Sequence, residues 1–380
     1  MRDFEFHVAH VIIIPMIVYL SKAKKSNLVG VAVLRLDFNT EDDWRMKAAV
    51  PTIEYLMERS RAVVILSHKG RPLGAQKEFT LAPAARNLEA VLKKQVRFFG
   101  DFNFIEIKRE IDSSAPKSIF VLENLRFMAG ETDNDEHFAK NLASLGDFYV
   151  NDAFAVSHRK NASLVAITKF LPSYAGLIME SEIKNLTRAM KSSKNPLVMI
   201  LGGAKANDKL EVVRHFKSKA ESFLVGGVLA STLLHLRGID VGSSVIEKNV
   251  DEGIKKLLNY KNIVLPVDFV RKGDKIYDIG HESQKLFSEK IKKAGTIIWS
   301  GPMGVIEEEE FCQGTNVLAR AVVSNRGAFS VVGGGETVMV FKKLGLDKHV
   351  SFVSTGGGAM LEFLAGEKLP GVTALEQAVK

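Results

Sequence analysis

Lys205 and Lys209 stand four residues apart just behind the pair Gly202-Gly203. Ahead of them runs Leu197-Val198-Met199-Ile200-Leu201, an apolar stretch bounded by Pro196 and glycine, and behind them Leu210, Val213 and Phe216 fall at helical spacing. The pattern predicts a buried strand, a glycine turn and a helix. Backbone N–H groups at such a helix start, at the positive end of its dipole, suit phosphate. Lysines at i and i+4 share a helix face and can point at one anion. The same stretch also reads as an ordinary strand–turn–helix connection with two solvated lysines. It is not a Walker A loop, since the sequence contains no Gly-Lys dipeptide.

Other chemistry-bearing residues also stand at the ends of apolar runs, and the two halves of the chain differ in kind. In the first half the runs end in side chains: Arg35 with Asp37-Phe38-Asn39, Ser67-His68-Lys69-Gly70-Arg71-Pro72, Glu123-Asn124-Leu125-Arg126, and Asn151-Asp152-Ala153-Phe154 leading to His158-Arg159. In the second half they end in glycine: Gly202-Gly203, Gly226-Gly227, Gly301-Pro302-Met303-Gly304, Gly333-Gly334-Gly335 and Gly356-Gly357-Gly358. Only 6 of the 30 glycines precede Pro172, so the division is real. Guanidinium groups bind phosphate and carboxylate in a fixed fork. Glycine lets a backbone approach a ligand closely. These residues therefore predict a first domain that grips a small polyanion with Arg and His, and a second that cradles a nucleotide with backbone.

The elements that must position these groups alternate along the chain from residue 28. Strands are predicted at Val29–Leu36, Ala62–Leu66, Ser118–Leu122, Phe148–Val150, Leu197–Leu201, Ser222–Val225, Ile263–Val267, Thr296–Trp299, Ala328–Val332 and Val350–Val353. Helix-length segments such as Met46–Glu58, Ala82–Lys93, Asp135–Leu145 and Glu282–Lys293 lie between them. This alternation predicts parallel sheets with helices on both faces and ligands beyond the carboxyl ends of the strands. A chain of 380 residues suits two domains, with the boundary expected near Pro172. Beyond it Met179, Ile183, Leu186 and Met190 form one apolar helix face, either joining the domains or belonging to the core of the second.

Composition sets bounds. The chain is 46% hydrophobic and 25% charged, an ordinary globular balance. Cys312 is the single cysteine, so no internal disulfide forms and a cytoplasmic setting is expected. A net charge of +8 suits nucleic acid, a membrane surface or a small anion; no run of five like charges favours the first two. Val8–Leu20 is apolar but too short to cross a bilayer and lacks signal-peptide features, so a packed or poorly defined N-terminal extension is expected. No GxSxG, HExxH, CxxC or GxGxxG occurs, which argues against esterase, zincin, redox and dinucleotide chemistry. Glu336 could ligate a metal through oxygen or simply sit at a helix N-terminus.

In order and spacing these motifs resemble the phosphoglycerate kinase family from about Leu28 to Gly371. The carriers are Arg35-Leu36-Asp37-Phe38-Asn39, Ser67–Pro72, Leu122–Phe127, Asn151–Phe154 with His158-Arg159, Leu201–Lys205 with Asp208-Lys209, Gly301–Val305, Gly333–Gly335 and Ser354–Ala359. The resemblance implies an α/β fold of two Rossmann-like domains with parallel sheets joined by a hinge helix. Residues 1–172 would bind phosphoglycerate, residues 173–365 the nucleotide, and the tail 366–380 would pack back on the first domain. It implies reversible phosphoryl transfer between 1,3-bisphosphoglycerate and ADP, with ATP/ADP as co-substrate and Mg2+ as cofactor, in a cytoplasmic monomer without nucleic-acid or membrane partners. By the same carry-over Arg45, Lys205 and Lys209 are catalytic, and Asp37, Phe38, Asn39, Arg45, His68, Lys69, Gly70, Arg71, Arg126 and Arg159 bind the acid. Gly203, Ala204, Lys205, Lys209, Gly226, Gly301, Glu307, Gly334, Gly335, Glu336 and Thr337 meet the nucleotide, with Glu336 at the metal. The chain departs from the family in the short Thr40–Trp44 connection, in Glu336 for Asp, in Ser300 for Asn, in Val228 for a third glycine and in a shorter 268–278 segment. A non-catalytic binding protein of the same fold is the competing expectation.

Overall fold

The computed structural model describes residues 17–40, 43–248, 250 and 252–378. Most of the apolar Val8–Leu20 segment lies outside them. Within them, Val18 and Tyr19 run beside a strand of the first sheet, with the Ala175 N–H donating to the Val18 carbonyl at 2.9 Å.

The first sheet forms around β1 (Val31–Arg35), whose five residues are all buried. Parallel strands covered on both faces carry unbroken apolar runs, and β1 reads that way. It is flanked by β2 (Ala62–Leu66) and by β5 (Phe148–Asn151). With β3 (Val96–Phe99), β4 (Ser118–Leu122) and β6 (Ser173–Ala175), the six-stranded order is β3-β4-β2-β1-β5-β6, all parallel. Side chains alternate between the faces. Val31 and Val33 enter one apolar cluster, Ala32 and Leu34 the other.

The second sheet repeats the plan around β7 (Leu197–Leu201). Its partners are β8 (Ser222–Val225), β9 (Ile263–Val264), β12 (Thr296–Ser300), β13 (Phe329–Gly333) and β14 (Phe352–Val353), in the order β14-β13-β12-β7-β8-β9. An antiparallel hairpin, β10 (Phe269–Lys272) with β11 (Lys275–Ile279), stands apart from it.

Three features differ from the sequence expectation. β3 was not anticipated, because Arg97 interrupts its apolar pattern and none of its four residues is buried. The hairpin was not anticipated either; its residues are mostly half-exposed or exposed, so they carry no core signature. The third lies at the boundary expected near Pro172, where Ser173–Ala175 forms an unanticipated strand paired with β5. A three-residue edge strand is too short to show a period.

The helix Leu177–Lys191 follows directly. Its Met179, Ile183 and Leu186 lie in one apolar cluster that also takes Val33 and Tyr149 of the first sheet and Met199 and Leu201 of the second. The helix thus packs in a core to which both sheets contribute. It also carries Glu182, 1% exposed. That carboxylate accepts from Ser354 Oγ at 2.7 Å and from the Thr355 N–H at 2.5 Å and Oγ1 at 2.8 Å. Burial outweighs these bonds and pushes its pKa up to about 7. The C-terminal helix Pro370–Ala378 returns to the first unit, where the Gly371 N–H donates to the Ser157 carbonyl at 2.8 Å.

Leu34 is fully buried between Ile65 and Val150. Leu34→Ala is expected to lower stability by about 2–5 kcal/mol in urea unfolding with an unchanged slope, whereas Ile105→Ser, at a site 85% exposed, stays within about 0.5 kcal/mol. Similar losses for both would show that β1 is not the centre of the core. Glu182 gives a pH signature. A carboxyl raised on folding favours the folded state below its unfolded pKa and loses that contribution as pH rises through the folded value. Between pH 4.5 and 8 the parent should therefore lose up to about 3 kcal/mol relative to Glu182→Gln. A pH-independent difference would show that Glu182 does not take up the proton.

Candidate functional site

The carboxyl ends of β1, β2, β4 and β5 meet on one side of the first sheet, and the charged motifs lie there. Arg35, the last residue of β1, is 2% exposed. Its Nε donates to Ser163 Oγ at 2.8 Å, one Nη to the Leu36 carbonyl, and the other Nη lies 3.2 Å from His68 Nδ1. Arginine can only donate, so His68 Nδ1 accepts and the ring proton sits on Nε2. That Nε2 is buried and has no hydrogen-bond partner among the described residues.

Asp37 anchors the next group. Its Oδ2 accepts from Arg45 Nη1 at 2.6 Å, its Oδ1 accepts the Asn39 N–H at 3.0 Å, and His68 Nδ1 lies 3.8 Å away. The Asn39 side chain accepts the Gly70 N–H at 2.7 Å, and Arg126 reaches the Gly70 carbonyl. Gly70, at φ +62°, sits on the Phe79 ring, where a Cβ would come within 2.2 Å. Asn124 braces the loop by accepting the Lys69 N–H and donating to the Lys69 and Phe79 carbonyls. Arg159 Nε donates to His158 Nε2 at 3.3 Å.

The electrostatics are lopsided. Burial, and then Arg35, Arg126, Arg159 and Arg45, hold the His68 pKa well below its usual range, so the ring is neutral. Burial together with Arg159 and Arg35 brings Arg126 down to about 10. Burial and Arg71 lower Arg159, and burial and Arg159 lower His158. Each of these directions is what crowded, partly desolvated like charges produce. Asp37 and Glu131 are the counter-charges acting on Arg126.

Asp37, Asn39, Arg45, His68, Gly70, Arg126 and Arg159 therefore converge, with Arg71 exposed beside Arg159. Phe38 does not join them: its ring is buried in the core, its N–H donates to Ser67 Oγ and its carbonyl accepts the Thr40 N–H. Lys69 turns its ammonium to the Glu78 carbonyl at 3.1 Å. Arg35, Glu131 and Ser163 were not on the expected list. Arg35 stood in a recognised motif, but Glu131, 3.8 Å from Arg35 and bonded to Ser163, lies in a four-residue helix without any sequence signal.

In the second half the glycine turns follow β7, β8, β12 and β13 and interlock. The Gly203 N–H donates to the Pro302 carbonyl at 2.7 Å, Gly227 N–H to Met303 and Val228 N–H to Gly203, both at 3.1 Å. Thr337 Oγ1 accepts the Gly301 N–H at 2.9 Å. A Cβ at Gly202 would lie 2.0 Å from the Pro302 oxygen, and one at Gly301, at φ +88°, 2.2 Å from the Gly202 oxygen. The glycines thus let the turns pack on one another, and several amides expected to face a ligand are used between turns.

These turns floor a cleft of about 270 Å³. Gly203, Ala204, Glu307 and Glu336 line it; Gly226, Gly301, Gly334, Gly335, Thr337, Lys205 and Lys209 lie outside the lining. Its other walls include Val228, Leu234, Pro266, Phe269 and Tyr277, the last two from the unanticipated hairpin. Lys205 and Lys209 do not share a helix face as expected, because Asn207–Lys209 form a 3₁₀ turn before the helix Leu210–Phe216. Lys209 is 6% exposed and donates to the Lys205 carbonyl at 2.6 Å. Burial lowers its pKa, and Asp208 and Glu336 oppose that shift. Lys205 is exposed. Among the described residues no group of three or more His, Cys, Asp or Glu forms a metal cage.

The phosphoglycerate kinase family model matches residues 31–367. The phosphoglycerate kinase of Dictyoglomus turgidum is 39% identical over 385 residues, covering 93% of this chain and 97% of its own. That of Desulforapulum autotrophicum is 40% identical over 364 residues, covering 89% and 93%. Among solved structures, the phosphoglycerate kinase of Pyrococcus horikoshii matches with a TM-score of 0.84 at 33% identity, covering 95% of this chain and 99% of that one. That of Coxiella burnetii matches with a TM-score of 0.80 at 33% identity, covering 96% and 100%. The arginine-lined sheet end, the glycine-floored cleft and a match through nearly the whole chain lead to one conclusion: this protein belongs to the phosphoglycerate kinase family, the glycolytic enzymes of reversible phosphoryl transfer between 1,3-bisphosphoglycerate and ADP.

Proposed function

We propose that the two halves of the site divide the reaction between them. The acid binds at the carboxyl end of the first sheet, against Asn39, His68, Arg71, Arg126 and Arg159, with Arg45 facing the transferred group. The crowding of like charge around His68 carries this reading. Burial first, and like charge after it, lowers these pKa values, and a polyanion relieves the charge. Neutral His68 offers its unpaired Nε2–H as one more donor, and Asp37 fixes the direction of Arg45.

The nucleotide takes the cleft over Gly203, Ala204 and Glu307. Phosphoryl transfer asks for positioning and charge neutralisation more than covalent chemistry. Exposed Lys205 is free to swing to the transferred group, while Lys209 stays near the phosphates. Mg2+ keeps most of its waters and is held through one or two carboxylates besides phosphate; Glu336, exposed and lining the cleft beside Gly203, fits that need and would hold the ion, which would supply charge neutralisation there. The first unit extends to about Ala175, the second runs to residue 365, and the tail belongs with the first. Closure of the two units about the helix Leu177–Lys191 brings the ligands together and excludes water. The enzyme acts as a cytoplasmic monomer on small molecules, without nucleic-acid or membrane partners; among the described residues no helix is long and apolar enough to cross a membrane.

Purified protein given 3-phosphoglycerate and Mg-ATP should turn over in a coupled assay. Calorimetric binding of the acid without turnover would leave only a binding protein. Arg45→Met and Lys205→Met should each lower kcat about a thousandfold, as for other charge-stabilising groups in phosphoryl transfer. A loss below tenfold in either would take that residue out of the mechanism.

A further inference from the structure

Trp44 is the first residue of the helix Trp44–Met57, directly before Arg45. The chain belongs to the first unit there, yet the indole packs against the apolar cluster of the second, the one built around Trp299 and Phe341. Among the described residues before Pro172, no other side chain joins that cluster. The Lys342 ammonium lies 4.6 Å from the centre of the Trp44 ring, and the Arg45 guanidinium lies 5.4 Å from it. Both distances fall within cation–π range. Lys342 closes the last turn of the helix Gly335–Lys343, whose first turn carries Glu336 at the nucleotide cleft. Arg45 Nη2 meanwhile comes within 3.8 Å of the Cβ position of Gly357, also in the second unit.

One side chain therefore touches Arg45 and the far end of the helix that begins at the nucleotide. Resting on the catalytic reading of Arg45, we propose that Trp44 is a positioning residue. It docks the start of its helix on Lys342 and so sets Arg45 against the second unit when both ligands are bound. Trp44 itself touches neither substrate. Its loss should lower the rate of the assembled complex and spare the binding of the acid alone.

The test compares Trp44→Leu, which keeps apolar bulk without a π face, with Trp44→Phe, Lys342→Met and the double variant Trp44→Leu/Lys342→Met. Arg45→Met is run in parallel. Trp44→Leu should lower kcat about fivefold, the size of one cation–π contact to the exposed Lys342, with KM for both substrates and the calorimetric affinity for 3-phosphoglycerate within about twofold. Trp44→Phe should recover most of the rate. The double variant should be no slower than Trp44→Leu alone, since both remove one contact. A Trp44→Leu kcat within twofold of the parent, losses that multiply in the double variant, or a rate loss matched by equal loss of acid binding would each overturn the inference. If Arg45→Met remains active, the reading beneath it fails as well; if Arg45→Met is inactive and Trp44→Leu is not, only the inference fails.

Discussion

Like charge forced together at one end of a parallel sheet is the constraint on which the rest of this structure depends. Arg35, Arg45, Arg126 and Arg159 surround a fully buried His68, and their effect on His68 is uniformly repulsive. Two carboxylates, Asp37 and Glu131, offset part of that field and hold two of the guanidinium groups in place. The strands make the arrangement possible. β1 ends on Arg35, β2 delivers Ser67-His68, β4 delivers Glu123-Asn124 and β5 leads through Asn151 toward Arg159. Each is fixed by full burial upstream, so cationic groups that would drift apart in a flexible loop are kept together. The free energy for holding them comes from the apolar sheet.

The second half solves a different problem. Its glycines carry no charge and spend several of their amides on one another. What they provide is proximity: four strand ends approach so closely that a methyl group at Gly202 or Gly301 would collide with backbone. The outcome is a glycine-floored cleft whose other walls include Phe269 and Tyr277. The helix Leu177–Lys191 ties the two solutions together. Its apolar face belongs to a core shared by both sheets, and its buried Glu182 grips the Ser354-Thr355 turn, from which the chain runs on to Gly357 beside Arg45.

The parts of this architecture legible in the sequence were those under two-sided burial or in a tight motif. β1, β2, β4, β7 and β8 show as unbroken apolar runs because both faces are covered. The Asp37–His68–Arg126–Arg159 grouping was legible because each member trails such a run; Arg45, inside the helix Trp44–Met57, entered only through the family resemblance. Features at edges escaped. β3 and β6 are short and border the sheet, and the β10–β11 hairpin is mostly half-buried, so no period marks them. The counter-charge Glu131 and the position of Trp44 are products of tertiary packing, and nothing in their local sequence announces them. Lys209 shows the limit of spacing arguments: i and i+4 share a face only in an α-helix, and a 3₁₀ turn intervenes.

The central claim is that the arginines crowd His68 in the absence of ligand and that the acid relieves them. The imidazole reports this directly. Its ring nitrogens can be followed by 15N NMR through a pH titration, with and without saturating 3-phosphoglycerate. The account predicts a neutral ring protonated on Nε2, with a pKa well below the usual 6.5, and a clear rise in that pKa when the acid binds. An ordinary histidine pKa in the free protein, or a depressed one that the acid leaves unmoved, would contradict it.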